Sequence, residues 1–98
     1  MKKTILITGA TSGIGKSTAY LFAKQDYNLI LTGRRKERLE EIKNDLTSQF
    51  DCAVQTLCFD VRNQDEVKNA LQSIDKNKFP TIDILVNNAG LASGVNTI

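Results

Sequence analysis

The sequence predicts an α/β fold built on a parallel sheet, and two observations carry that prediction. Short runs of apolar β-formers alternate along the 98 residues with longer stretches of helical periodicity, and a glycine-rich turn follows the first run directly. Strands that alternate with helices pair in parallel, because each return passes through a crossover helix.

Ile5, Leu6 and Ile7 form a first strand that enters the turn Gly9 to Gly15, after which Ile14, Thr18, Leu21, Phe22 and Gln25 recur at helical spacing. Asn28 to Thr32 reads as a second buried strand, followed by Leu39, Ile42, Leu46 and Phe50 on one helical face. A third strand runs from about Ala53 to Phe59 and stops at Asp60. Asn63 with Glu66 then opens a helix in the manner of a capping box, with Val67, Leu71 and Ile74 expected inward. Pro80 punctuates, and Ile82 to Val86 forms a fourth strand. Strands buried on both faces are not normally left with a bare edge, so a continuation beyond Ile98 is expected.

Composition narrows the function. An apolar content of 41% and a charged fraction of 24% of both signs suit one globular unit with one core. A net charge of +2 is too small for a nucleic-acid footprint, and the basic residues cluster only at Arg34, Arg35, Lys36 and Arg38. No apolar run approaches the roughly 18 residues of a membrane span, and Met1 to Ile5 passes straight into a strand rather than a signal peptide. A cytoplasmic protein without a membrane or nucleic-acid partner is expected, with Cys52 and Cys58 as thiols. The absence of histidine removes the common zinc sites and His-based triads, and no metal site is expected.

The stretch Gly9 to Thr18 (GATSGIGKST) admits two phosphate-binding readings. From Ala10 it is a loosened P-loop, with Lys16 on a triphosphate, Ser17 on magnesium and Asp60 as the distant carboxylate. From Gly9 it is a variant of the dinucleotide turn, in which Gly9, Gly13 and Gly15 serve a sharp bend, backbone approach to phosphate and helix-to-strand packing. The second reading uses every glycine; the first lacks its opening one. A helix starting near Ile14 would offer unpaired amides to a pyrophosphate, leaving Lys16 a solvated lysine.

Thr8 to Gly15 (TGATSGIG) and Asp83 to Gly90 (DILVNNAG) together resemble the short-chain dehydrogenase/reductase family. The likeness runs through nearly the whole chain, and "TGRRKERLEEIKNDL", "FDVRN" and "NNAGLASG" are similar to its NADP-dependent branch acting on serine and other 3-hydroxy acids. The resemblance implies a Rossmann-type doubly wound sheet of strand order 3-2-1-4, with the cofactor crevice between strands 1 and 4. Residues 1–98 would then be the N-terminal part of a single dinucleotide-binding domain, ending before the catalytic residues.

The resemblance also assigns residues. Gly9, Thr11, Ser12 and Ile14 would line the pyrophosphate and its ribose, with Gly13 and Gly15 permitting the approach; Thr11 and Ser12 could equally cap the helix. At the end of strand 2, where an NAD enzyme carries an acid, stands Gly33 followed by Arg34 and Arg35, which favours NADP with Arg34 as the main 2′-phosphate contact. Many NADP-using relatives carry a further basic residue where this chain has Ser12. Asp60 and Val61 match the adenine contact, although a loop-capping Asp has the same spacing. Asn88 would meet the ribose through its backbone, Ala89 and Gly90 would leave room for the ligand, and Asn87 would brace the sheet.

Tyr20 and Lys24 match the family's Y-x-x-x-K, yet Tyr20 lies roughly 9 Å along the helix from the phosphates, so the pair is a decoy on a helix rim. The chain therefore carries no catalytic residue of its own. The expected parent is an NADP-dependent oxidoreductase acting on a hydroxyl/carbonyl substrate, serine or another 3-hydroxy acid, and assembled as a dimer or tetramer. The alternatives are a non-catalytic nucleotide-sensing module and a P-loop phosphotransferase.

Overall fold

The computed structural model of the chain describes residues 2–88. Within them run β1 (Thr4–Thr8), α1 (Gly13–Lys24), β2 (Asn28–Gly33), α2 (Lys36–Gln49), β3 (Val54–Cys58), α3 (Gln64–Gln72) and β4 (Ile84–Asn87). The strands form one parallel sheet in the order β3-β2-β1-β4. The chain steps outward from β1 to β3 and then crosses to the other side of β1. The carboxyl ends of β1 and β4 thus border the point at which the strand order reverses, where open α/β sheets bind ligands.

Alternation along the strands splits the core in two. Ile5, Ile7, Leu29 and Leu31 face α1 and α2 and pack with Ala19, Ala23, Leu39, Ile42 and Leu46. Leu6, Ile30 and Leu57 face the other way, against Phe59, Ile74 and Phe79, with Val67 and Ala70 of α3 packed on them. Each fully buried Leu or Ile contributes roughly 1.5–3 kcal/mol, so the two clusters account for the hold of the helices on the sheet. No helix among the described residues is long and apolar enough to cross a membrane.

Four details depart from the periodicity reading. The inward face of α1 is Gly15, Ala19 and Ala23, while Ile14 (68% exposed) and Leu21 (55%) point outward. The helix lies so close to β1 and the glycine turn that only small side chains fit beneath it. After Asn63, Val67 and Ile74 pack inward as expected, but Leu71 is exposed and Ala70 packs in its place. Ile82 is exposed ahead of β4, which begins at Ile84. Phe79, in the α3–β4 connection, is buried in the second cluster.

Candidate functional site

The first βα turn is held from three sides. Gly9, at φ 62°, bends the chain out of β1 in a conformation that costs a residue with a Cβ. Ala10 N donates to Thr32 O of β2 (2.9 Å), which pins the turn to the neighbouring strand. Ser12 is the N-cap of α1: its Oγ accepts from Gly15 N (3.1 Å) and donates to Gly9 O (2.9 Å). Asn88, buried at the end of β4, donates through Nδ2 to Gly9 O (3.0 Å) and Ser12 Oγ (2.6 Å). The Ser12 hydroxyl is thereby committed to protein partners.

Gly13 and Gly15 have opposite surroundings. A Cβ on Gly15 would run into Gly9 O and stand 2.9 Å from Ala10 Cα and 3.0 Å from Asn88 Nδ2. A Cβ on Gly13 would meet nothing within 4 Å. Gly15 therefore serves packing, whereas Gly13 leaves open space at the helix N-terminus. The first amides of a helix have no intrahelical partner, and beside Gly13 they offer donors and a positive dipole end to an anion. This cradle fits the pyrophosphate of a dinucleotide.

A second group of residues gathers at the ends of β2 and β3. Phe59 N donates to Gly33 O (2.9 Å) and the Cys58 side chain donates through Sγ to Arg34 O (3.5 Å), so the two strand ends are joined. Arg34 and Arg35 are exposed, and Arg35 occupies the N-cap of α2 without a side-chain capping bond. No carboxylate stands at position 33, where a Cβ would find ordinary contacts with Leu39 (3.4 Å) and Thr11 (3.5 Å).

Asp60 lies within electrostatic reach of Arg34 and is itself engaged. Its Oδ1 accepts from Arg62 N (2.9 Å) and Arg62 Nε (3.2 Å), and its Oδ2 from Arg62 Nη2 (2.9 Å). The bonds from Arg62, with the nearby Arg34 charge adding to them, bring the Asp60 carboxyl down to about 2. The loop-capping role expected from spacing is thus realised as an Asx-turn. Downstream, Asn63 caps α3 by accepting from Glu66 N (3.1 Å), and Glu66 answers through the Asn63 amide group (2.9 Å). Val61 is exposed beside them.

Tyr20 and Lys16 point elsewhere. The Tyr20 hydroxyl donates to Asp45 of α2, and burial together with that bond raises the phenol to about 12. Lys16 Nζ lies 6.0 Å from the centroid of the Tyr20 ring. Lys24 is an exposed residue in the last turn of α1. Tyr20 therefore clasps α1 to α2, and Lys24 lies on the exposed rim of α1, as expected of the decoy. Asn87 Oδ1 accepts from Thr8 Oγ1 (3.0 Å), tying β4 to β1.

The structure thus brings Gly9, Thr11, Ser12, Gly13, Ile14, Gly15 and Asn88 together around one turn, and Arg34, Arg35, Asp60 and Val61 at the neighbouring strand ends. Ala89 and Gly90 lie outside the described residues. The sequence reading missed the Asn88 side chain as the brace of the turn and Arg62 as the partner of Asp60. The D-x-R spacing in "FDVRN" is the local signal for the second. Among the described residues no cluster of His, Cys, Asp or Glu is arranged to hold a metal ion.

Fold and turn together define a Rossmann-type nucleotide-binding unit. A family model described as short chain dehydrogenase matches residues 3–98, and the chain belongs to that family. It is 46% identical over 97 residues to an NADP-dependent 3-hydroxy acid dehydrogenase of Schizosaccharomyces pombe, covering 98% of this chain and 37% of that protein. It is 49% identical over 94 residues to a serine 3-dehydrogenase of Rhizobium radiobacter, covering 96% of this chain and 36% of that one. The crystal structure of L-sorbose reductase from Gluconobacter frateurii, complexed with NADPH and L-sorbose, superposes with a TM-score of 0.82 at 37% identity, covering 91% of this chain and 34% of that chain. The chain spans little more than a third of the length of these relatives.

Proposed function

We propose that the chain is the NADP-binding part of an oxidoreductase that moves a hydride between the cofactor and a hydroxyl/carbonyl substrate, with serine or another 3-hydroxy acid as the substrate class. The end of β2 carries this reading: Gly33 leaves out the acid that would bond a ribose 2′-hydroxyl, and Arg34 follows with a guanidinium suited to a 2′-phosphate. The activities by which the Schizosaccharomyces and Rhizobium relatives are named support the substrate class.

In this reading Gly9, Thr11, Ser12, Gly13, Ile14 and Gly15 line the pyrophosphate and its ribose, with Ser12 shaping the turn, because its hydroxyl and its amide are both engaged within it. Arg34 and Arg35 take the 2′-phosphate, Asp60 and Val61 the adenine, and Asn88, Ala89 and Gly90 the remaining ribose. When bound, the nicotinamide supplies the hydride donor or acceptor. Residues 1–98 form the N-terminal part of a single domain, and the proton-transfer groups lie in the part of the relatives' length that the chain does not span. The protein works in the cytosol as a homodimer or homotetramer, with Cys52 and Cys58 as free thiols.

The test is reduction of NADP⁺ by the protein expressed from its own gene, followed through nicotinamide absorbance over serine and a set of 3-hydroxy acids. Turnover with these and not with simple alcohols is expected. Turnover with NAD⁺ alone, or none with any hydroxy acid, contradicts the reading.

A further inference from the structure

Asp60 reaches the candidate site already clamped. Each carboxylate oxygen carries about two acceptor positions. Arg62 fills both on Oδ1, with its amide at 2.9 Å and Nε at 3.2 Å, but only one on Oδ2, with Nη2 at 2.9 Å. The parallel Nε and Nη2 bonds fix the carboxylate plane, because a guanidinium fork permits a single bidentate orientation. The amide bond closes the turn from the other side. What remains is one acceptor position on Oδ2, in a group 30% exposed, while Arg62 itself is 77% exposed and outside the packing. Arg62 supports no hydrophobic cluster, so its organised contact is with Asp60.

We propose that Arg62 is a positioning residue for nucleotide selection, which orients Asp60 so that its free Oδ2 position accepts a hydrogen bond from the exocyclic amine of adenine. The proposal rests on the dinucleotide reading above and adds the residue that sets its base selectivity. Arg34 recognises the phosphate end of the same nucleoside, so the two arginines act on separable features of one ligand: Arg34 on the 2′-phosphate, Arg62 through Asp60 on the base.

That separation supplies the test. The protein expressed from its own gene is titrated with NADPH, with NADH, and with the hypoxanthine analogue of NADPH, whose carbonyl oxygen replaces the amine and cannot donate to a carboxylate. The expected result is a preference for NADPH over the hypoxanthine analogue of about tenfold or more, the range of a hydrogen bond to a charged group. Arg62→Ala should reduce this preference several-fold and leave the NADPH-to-NADH ratio unchanged. Arg62→Lys, which can offer only a point contact, should fall between the two. Asp60→Asn combined with Arg62→Ala should lose no more than Asp60→Asn alone.

Ratios of affinities within one variant cancel a general loss of folded protein. A drop in the NADPH-to-NADH ratio with the base preference intact makes Arg62 a phosphate ligand and overturns the proposal. Wild-type protein that prefers NADPH to NADH yet binds the hypoxanthine analogue equally well also overturns it, while leaving NADP selection standing. Failure of the wild type to bind NADPH brings down the underlying reading and this proposal together.

Discussion

Asn88 Nδ2 stands 2.6 Å from Ser12 Oγ, so a residue at the end of β4 grips the helix cap that closes the glycine turn. The same amide reaches Gly9 O, and one buried side chain therefore holds both ends of the bend. Replacing Asn88 with Ala removes one donor from each acceptor, while Gly9 O keeps the Ser12 hydroxyl and amide and Ser12 Oγ keeps Gly15 N. A cost of about 0.5–1.5 kcal/mol per lost bond is expected, read as a lower denaturation midpoint with an unchanged denaturant slope. Ser12→Ala should cost about 1 kcal/mol through loss of the cap, and the two should couple in a double-mutant cycle.

The two helix-start glycines should separate folding from binding. Gly15→Ala forces a methyl group into Gly9 O and Ala10 Cα, which are backbone atoms that cannot move aside, and should strongly destabilise the fold. Gly13→Ala adds a methyl group to open space. Its stability should be unchanged or raised by up to about 1 kcal/mol, while affinity for NADPH falls, because the methyl group occupies the cradle. Thermal denaturation and a binding titration on the same two variants decide it.

Position 33 should control cofactor choice. A side chain there finds ordinary contacts at 3.4–3.7 Å, so Gly33→Asp is sterically allowed. The carboxylate would repel a 2′-phosphate and accept from a 2′-hydroxyl. NADPH should weaken by about tenfold or more relative to NADH, given the strength of charged hydrogen bonds.

Thr32 has a buried hydroxyl without a hydrogen-bond partner among the described residues. Thr32→Val keeps the shape and removes the desolvated group, so stability should rise by up to about 1 kcal/mol. A midpoint lowered by the change would mean that the hydroxyl is bonded in solution.

Two titrations mark the site and the decoy. Asp60 sits at about 2 against an ordinary 3.8, so its ionised form favours the folded state. That contribution is complete above the ordinary value and is lost as pH falls from 3.8 towards 2; Arg62→Ala should weaken the dependence in this window, leaving the part carried by the backbone amide of position 62 and by Arg34. Tyr20 is raised from 10.0 to about 12, so its protonated form favours folding, and this contribution disappears as pH climbs through that interval. Tyr20→Phe should remove the alkaline step and leave NADPH affinity intact.

The alternation of strands with helices and the glycine turn were readable because their constraints are local, whereas the strand order came only with the family resemblance. Alternation places Ile5 and Ile7 on one face, and Gly15 is required by backbone only six residues away. The inward side of α1 was hidden for the opposite reason. Gly15, Ala19 and Ala23 give almost no hydrophobic signal, and the larger residues that recur at helical spacing include Ile14 and Leu21, which are exposed. Phe79 sits in a connection without periodicity, and the Asn88 brace joins residues 76 positions apart, so neither has a local signature. The turn that lets Arg62 clamp Asp60 can be suspected from "FDVRN", but its bidentate geometry cannot.

If the first βα turn and Arg34 together receive a dinucleotide bearing a 2′-phosphate, a competitive titration of the protein with NADPH, NADH and ATP with magnesium will find NADPH bound about tenfold or more tightly than NADH, with ATP competing poorly. Arg34→Asp should then remove most of the NADPH advantage. Equal affinity for NADPH and NADH, or preferential binding of ATP with magnesium, would show that no such dinucleotide is recognised there.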